Sequence, residues 1–279
     1  MNNPLPRYLA LMALVLLCGC AGSPYSENNK LRSDALLQQQ VQAARRSVGA
    51  DRAPRVIFAG FALHSQSKAF QSDVLLAEKA ARIADSQAIS FRLGNPAFGQ
   101  DGGWPFATRE NVETVLKEVG ALARPQDKVV LLFASHGRPD ALAVNAGNTD
   151  LGVITSRDLG QWMAALRGKP TLVVISACYS GSFIGPLRDP SRIIFTASAR
   201  DRTSFGCEFH SDHTYFVQEL LGQESIPGRS LAELMDRARE GVAKRESALK
   251  LSPSLPQSDI GATVDAWARE PLARWTTAP

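Results

Sequence analysis

Residues 127–144 read DKVVLLFASHGRPDALAV, and residues 169–183 read KPTLVVISACYSGSF. Each stretch holds a short apolar run, 129–133 and 172–175, rich in β-branched residues and without alternation. Such runs suit central strands of a sheet covered on both faces. Each run ends in small residues and one chemically capable side chain. The first gives Ala134-Ser135-His136-Gly137, the second Ser176-Ala177-Cys178-Tyr179-Ser180-Gly181. In open α/β sheets, chemistry sits beyond the carboxyl ends of the strands. A histidine and a cysteine placed there can face each other although about forty residues separate them. The expected chemistry makes Cys178 a nucleophile and His136 its base.

The flanking chain alternates strand and helix patterns. Residues 55–60 and 88–93 read as strands. Between them Asp73 caps a helix over 74–84, with Leu76, Ala80 and Ile83 on its apolar side. A loop rich in Gly, Pro and Asn spans 94–105, a length usually tied to function or mobility. Thr108 caps a helix over 109–123, where Val112, Val115, Leu116 and Val119 recur at helical spacing, and Pro125 stops it. After His136 come a hairpin arm over 140–143, a second arm over 150–154 and a helix over 158–166. Thr155 or Ser156 caps that helix, and Gly168-Lys169-Pro170 ends it. A strand over 192–196, a small-residue loop over 197–206 and helices over 215–221 and 231–248 complete the body. From Leu251 the chain turns to Ser and Pro and reads as an extended tail over 251–279, from which Trp267 and Trp275 can pack back. This alternation predicts an α/β fold with a mostly parallel sheet and helices on both faces. Neither an internal repeat nor a glycine-rich phosphate loop in a strand–turn–helix context is visible.

Residues 1–21 carry one basic residue, Arg7, before an apolar core over 9–17 that is too short to span a bilayer. That is the anatomy of a secretory signal. Its end, Leu17-Cys18-Gly19-Cys20, resembles a bacterial lipobox. The resemblance implies a signal peptide over 1–19 and lipidation of Cys20; an ordinary signal cut after a small residue is the plainer alternative. Residues 22–29, rich in Ser, Gly, Pro and Asn, suit a tether. A short amphipathic helix over 31–48 follows, with Leu36, Leu37, Val41 and Ala44 on one face. Residues 20–50 are thus read as anchor and tether, and residues 51–250 as the folded domain. The expected setting is the bacterial cell envelope, lipid-anchored and facing the periplasm.

Composition bounds the function. Hydrophobic residues make up 44% and charged residues 21%, as in a folded soluble domain large enough for a well-buried core. The net charge of +4, +3 without Arg7, is too small and scattered for nucleic acid, and no aromatic–basic interleaving points there. Beyond Cys18 and Cys20, two thiols remain, Cys178 and Cys207. In an exported protein a pair of cysteines implies a disulfide by default. If Cys178 is catalytic, Cys207 is instead an unpaired, buried thiol.

A neighbouring imidazole raises the thiolate fraction of a cysteine and later protonates a leaving amine. Gly137 and Ala177 leave room for a peptide carbonyl, and the N–H groups of Gly137 and Cys178 are placed to hold an oxyanion. An apolar strand ending in S-H-G, then about forty residues later one ending in A-C-x-S-G-S, resembles the legumain-type (asparaginyl endopeptidase) cysteine peptidases of the caspase-fold clan. A third segment, from Thr196-Ala197-Ser198 through Ser204-Phe205-Gly206-Cys207 to Thr214-Tyr215, resembles the loop that shapes that family's specificity pocket. The resemblance spans residues 55–221. It implies a caspase-like α/β/α sandwich, a Cys178–His136 dyad, no metal or other cofactor, and a peptide or protein substrate. It also makes Tyr179, Ser204 and Gln218 candidates for binding that substrate. The chain departs from asparaginyl members in three places. Tyr179 stands where they carry an acidic residue, their Arg-His pair has only Lys68 nearby, and Gln218 stands for an acidic pocket residue.

The other histidines have plainer readings. His64, on a loop after the first strand, either lines the cleft or, on the plainer reading, is solvated. His210-Ser211-Asp212-His213 is expected to be a surface loop rather than a metal site, since no further ligands recur at suitable spacing. Ser135 and Ser180 lie outside any G-x-S-x-G elbow. Two functions follow: a cysteine endopeptidase, with transpeptidation open to its acyl-enzyme, or an inactive lipoprotein module whose Cys178 is bridged to Cys207 or unused.

Overall fold

The computed structural model describes residues 24–48, 53–96, 103–222 and 226–276. The expected signal peptide and Cys20 lie outside them. In chain order the strands are β1 (Val56–Ala62), β2 (Ile89–Gly94), β3 (Lys128–Ala134), β4 (Gly137–Arg138), β5 (Ala141–Ala146), β6 (Thr149–Thr155), β7 (Thr171–Ser176), β8 (Arg192–Thr196) and β9 (Gln257–Ile260). The helices are α1 (Glu27–Ser47), α2 (Ala69–Ala84), α3 (Arg109–Leu122), α4 (Ser156–Trp162), α5 (Ile184–Leu187), α6 (Tyr215–Leu221), α7 (Leu231–Ala248) and α8 (Asp265–Arg269).

Six strands form the main sheet in the order β2-β1-β3-β7-β8-β9, parallel except for β9. All seven residues of β1 are buried, which is why its run lacks alternation. Successive side chains enter opposite cores. Val56, Phe58 and Ala62 join the layer of α2, α6 and α7, whereas Ile57, Ala59 and Phe61 join that of α1, α3 and α4. Each fully buried large apolar side chain contributes about 1.5–3 kcal/mol. The product is an α/β/α sandwich, as expected.

α3 begins where Thr108 Oγ1 accepts from the Asn111 N–H, and its Val112, Val115, Leu116 and Val119 are all fully buried. α4 is closed by a capping box between Thr155 and Asp158 and ends at Trp162, with a 3₁₀ turn over Met163–Leu166 where one continuous helix is expected. The arms after His136 are longer than the sequence pattern implies and form a separate sheet, β4-β5-β6. The 94–105 loop is only partly described, but Gly94 N–H donates to Pro105 O at its base.

Three expectations need correction. Asp73 does not cap α2: the helix starts at Ala69, and Asp73 lies buried in its second turn. Residues 24–29 are no loose tether. Tyr25 packs edge-on against Phe106 at 5.1 Å, and Ser26 caps α1. Gln40 of α1 accepts from Arg92 N–H and donates to Arg92 O, standing in for a neighbouring strand at the β2 edge. Residues 251–276 are no extended tail either. They supply β9 to the sheet and α8 to the core, with Trp267 and Trp275 buried, their rings 5.2 Å apart. The core gains these aromatics from a segment whose Ser and Pro content conceals them. Among the described residues no helix is long and apolar enough to cross a membrane.

Candidate active site

The register of three adjacent strands sets the site. Ala62 of β1 pairs with Ala134 of β3, which pairs with Ser176 of β7. Two residues beyond these partners stand His64, His136 and Cys178. The ladder runs one step further, through Leu63 N–H to Ala134 O (3.0 Å) and Ser135 N–H to Ser176 O (3.1 Å), before the chains diverge. Parallel strands lie about 4.8 Å apart, so three reactive side chains share one level at the sheet's carboxyl rim.

His136 is half-buried between two rings. Phe70 stands perpendicular to it at 5.2 Å and His64 at 4.7 Å. Its Nε2 is buried and meets no hydrogen-bond partner among the described residues. Burial lowers the His136 pKa, favouring the neutral imidazole a base requires. His64 is not a solvated loop residue. Its Nδ1 accepts the Gln66 N–H at 3.2 Å, and burial, with the neighbouring His136, pulls its pKa down to about 4. A register bridge to Asn145 ties it to β5.

Cys178 is half-buried and free, and Cys207 is free as well, so the disulfide alternative is not realised. Ser204 surrounds the sulfur. Its N–H points at Sγ from 3.3 Å and its Oγ from 3.8 Å, while its carbonyl oxygen lies 3.5 Å away. Burial, then Cys178, raises the Cys207 thiol to about 11, which keeps it protonated and unreactive. Gly137 lies so close to the nucleophile's backbone that a Cβ there would meet the Cys178 carbonyl oxygen at 2.2 Å. In β4 it forms a non-hydrogen-bonding pair with Leu142, as the bond from Ala143 N–H to His136 O indicates. Among the described residues no acceptor takes the N–H of Gly137 or of Cys178. Tyr179 sits in the left-handed region at φ 57° and donates its N–H to Arg202 O at 2.7 Å, turning the chain sharply after the cysteine. The hydroxyls of Ser135 and Ser180 are taken by Ala143 O and Ser198 Oγ, which leaves neither as a nucleophile.

Beneath Cys178 runs a buried polar chain absent from the sequence reading. Ser176 Oγ meets Thr214 Oγ1 at 2.8 Å, and Thr214 donates through Oγ1 (2.7 Å) and N–H (3.2 Å) to Asp73. His213 Nδ1 also reaches Asp73 at 3.2 Å, so His213 is part of the site's support rather than of a surface loop. Burial raises Asp73 to about 6 against those hydrogen bonds. His210 stays exposed, its ring against Phe209. Among the described residues no three His, Cys, Asp or Glu side chains are arranged to hold a metal. Of the three substrate candidates, Ser204 touches the sulfur and Tyr179 forms the elbow. Gln218 lies a turn into α6 with its amide against Gly222, away from the Thr214 end that meets Ser176. The signal for His64 was present in the sequence as its position two residues past an apolar strand. For Asp73 there was none, because its partners are 140 and 141 positions away.

A model of the peptidase C13 family matches residues 111–264, a span that takes in His136, Cys178 and β9. It begins later and ends later than the resemblance read from the sequence. No curated protein matches the chain significantly. Among solved structures, that of Caspase-1 from Spodoptera frugiperda is similar to it, with a TM-score of 0.50 over 75% of this chain and 86% of that one, at 14% identity. At that identity the likeness speaks for the fold alone: a caspase-like α/β/α sandwich.

Proposed function

The chain belongs to the peptidase C13 family, the legumain-type cysteine peptidases, and from that premise we propose that it is an endopeptidase working through Cys178 and His136. Cys178 thiolate attacks the scissile carbonyl carbon, with the thiol proton passing to His136. The oxyanion so formed is held by the N–H groups of Gly137 and Cys178. As the C–N bond breaks, His136 returns its proton to the leaving amine, and a thioester remains. Water, deprotonated by His136, then releases the acid and restores the thiol; an amine in its place gives transpeptidation. The observation carrying this reading is the equal two-residue offset of both side chains beyond paired positions on neighbouring strands.

The reading extends to location. Lipidation of Cys20 holds the domain at the cell envelope, facing the periplasm, and the Leu17-Cys18-Gly19-Cys20 anatomy supports it. Cys20→Ala then releases the protein from membranes to the soluble fraction.

A peptide library with the purified protein and Cys178→Ala tests the chemistry. The variant is expected to lose kcat/KM by about 10⁴-fold or more at unchanged Tm. His136→Ala should slow alkylation of Cys178 near neutral pH. Cleavage retained by Cys178→Ala would overturn the assignment.

A further inference from the structure

Past Cys178 the rim continues over β8 and β9 into an open cleft of about 570 Å³. Its lining includes Gly181, Gly185, Arg188, Arg200, Arg239 and Asp259. A Cβ on Gly185 would touch nothing within 4 Å, so the cleft is unobstructed there. Three guanidinium groups face one lining carboxylate, and once Asp236, the partner of Arg239, is counted, the cleft keeps an excess of one positive charge.

The arginines are not alike. Arg239 is pinned, donating to Pro256 O (3.2 Å), Ser258 Oγ (2.6 Å) and Asp236 (3.0 Å). Arg188 reaches Asp259 through Nε and Nη2, both to the same oxygen, and keeps its side chain 64% exposed. Arg200 is exposed, and no described residue pairs with its guanidinium. Exposed arginines elsewhere are of both kinds: Arg45 and Arg269 have carboxylate partners, whereas Arg157 and Arg237 have none among the described residues. Arg200 is set apart by its place in the cleft beside Arg188. A cationic cleft containing an unpaired guanidinium is relieved by an anion, and planar guanidinium groups suit carboxylates.

Position ties the cleft to the nucleophile. Gly181 comes three residues after Cys178, and its N–H donates to Ser198 O at 2.9 Å. A Cβ on Gly181 would sit 2.6 Å from Arg200 N, so the arginine's backbone abuts the turn that carries the cysteine. From β7 to β9 is two strand spacings, about 10 Å, the reach of about three extended residues. Among the described residues β9 is the last strand of the sheet, and no further strand pairs with its outer edge.

Resting on the reading of Cys178 as the nucleophile, we infer that this arginine cleft is a substrate exosite for an acidic peptide segment, placing Asp or Glu side chains about three residues from the cleaved bond. The segment lies across the ends of β8 and β9, with its carboxylates against Arg188 and Arg200. Arg239 holds β9 in place.

The test uses the peptide that the library identifies, made with Glu-Glu or Gln-Gln at the third and fourth residues on either side of the bond. At low salt the protein should prefer the acidic peptide about tenfold in kcat/KM on one side only, through KM. Salt should weaken that preference. The double variant Arg188→Gln with Arg200→Glu should abolish or invert the ratio. A ratio near one in the unaltered protein, or an unchanged ratio in the variant, overturns the exosite. If no peptide is cleaved, the nucleophile reading fails by itself, and fluorescence anisotropy of the same labelled peptides on Cys178→Ala protein decides the cleft. Tighter binding of the acidic peptide, lost in the arginine double variant, supports it. Equal binding of both peptides, or an acidic preference confined to anionic lipid vesicles, overturns it.

Discussion

At the amino-terminal rim of the main sheet, Asp127 is wholly buried yet accepts hydrogen bonds from Arg124 N–H, Nε and Nη2 and from Arg55 N–H. Burial alone would raise its pKa, but Arg124 and these N–H groups outweigh it and hold the carboxyl below its ordinary range. Beside it Lys128 Nζ lies 2.7 Å from Glu270 and from Trp275 O. At the carboxyl rim of the same strands, His136 keeps an unmet ring nitrogen, and two backbone N–H groups find no acceptor among the described residues. The first end pairs its charges with one another, although Arg55 Nε and Nη2 there also meet no hydrogen-bond partner among the described residues. The second leaves a neutral ring nitrogen and backbone N–H groups open to a molecule that comes and goes. Buried groups left incomplete cost stability, so they persist where binding or chemistry uses them.

Substitutions at the two ends should therefore fail differently. The largest effect is expected at the closed end. Asp127→Ala strips the carboxylate from Arg124 and Arg55 and should lower stability by about 3 kcal/mol in urea denaturation, with activity per folded molecule unchanged. A loss below about 1 kcal/mol would break the contrast. Next comes Gly137→Ala at the open end, where the new methyl group runs into the Cys178 carbonyl. We expect kcat/KM to fall about 100-fold while stability drops by only about 1–2 kcal/mol. A variant with normal turnover would show that this close approach does not shape the oxyanion site.

The smallest effect concerns pH. His64→Ala uncovers one face of His136, so the His136 pKa, now lowered by burial, should rise toward its ordinary value. The acid limb of kcat/KM then moves to higher pH by less than about one unit. His64 itself titrates near 4 when folded against an ordinary 6.5. A depressed histidine pKa contributes stability that is present above 6.5 and lost as pH falls toward 4. Thermal unfolding should show that loss in the unaltered protein and less of it in His64→Ala. Identical pH profiles for both would mean the two rings do not sense each other.

Much of this contrast was visible in the chain before folding. The central strands announce themselves because both their faces are covered, and the 192–196 strand and the helices at 215–221 and 231–248 fall where the pattern puts them. Thr108 and Thr155 cap as expected because capping is local, its partners only three residues away. Asp73 is the opposite case. It is a residue type that caps helices, but its oxygens are claimed by Thr214 and His213 across the fold, and no local pattern encodes that. β9 escaped notice since each of its residues is only partly covered or exposed, which erases the alternation of a half-buried strand. His64 sits at the same two-residue offset past its strand as His136 and Cys178, so its place at the rim is legible in the sequence.

That shared offset has a consequence for how the molecule can change. Side chains alternate along a strand, so sliding β3 by one position would turn Phe133 and Leu131 out of their layer and in the same stroke carry His136 off the crevice. A single added residue within Lys128–Ala134 would thus abolish folding and chemistry together. The β5–β6 turn is no freer, since Ser65 Oγ donates to Asn145 Oδ1 and Gly147 O there, and a change of length at that tip would pull on His64.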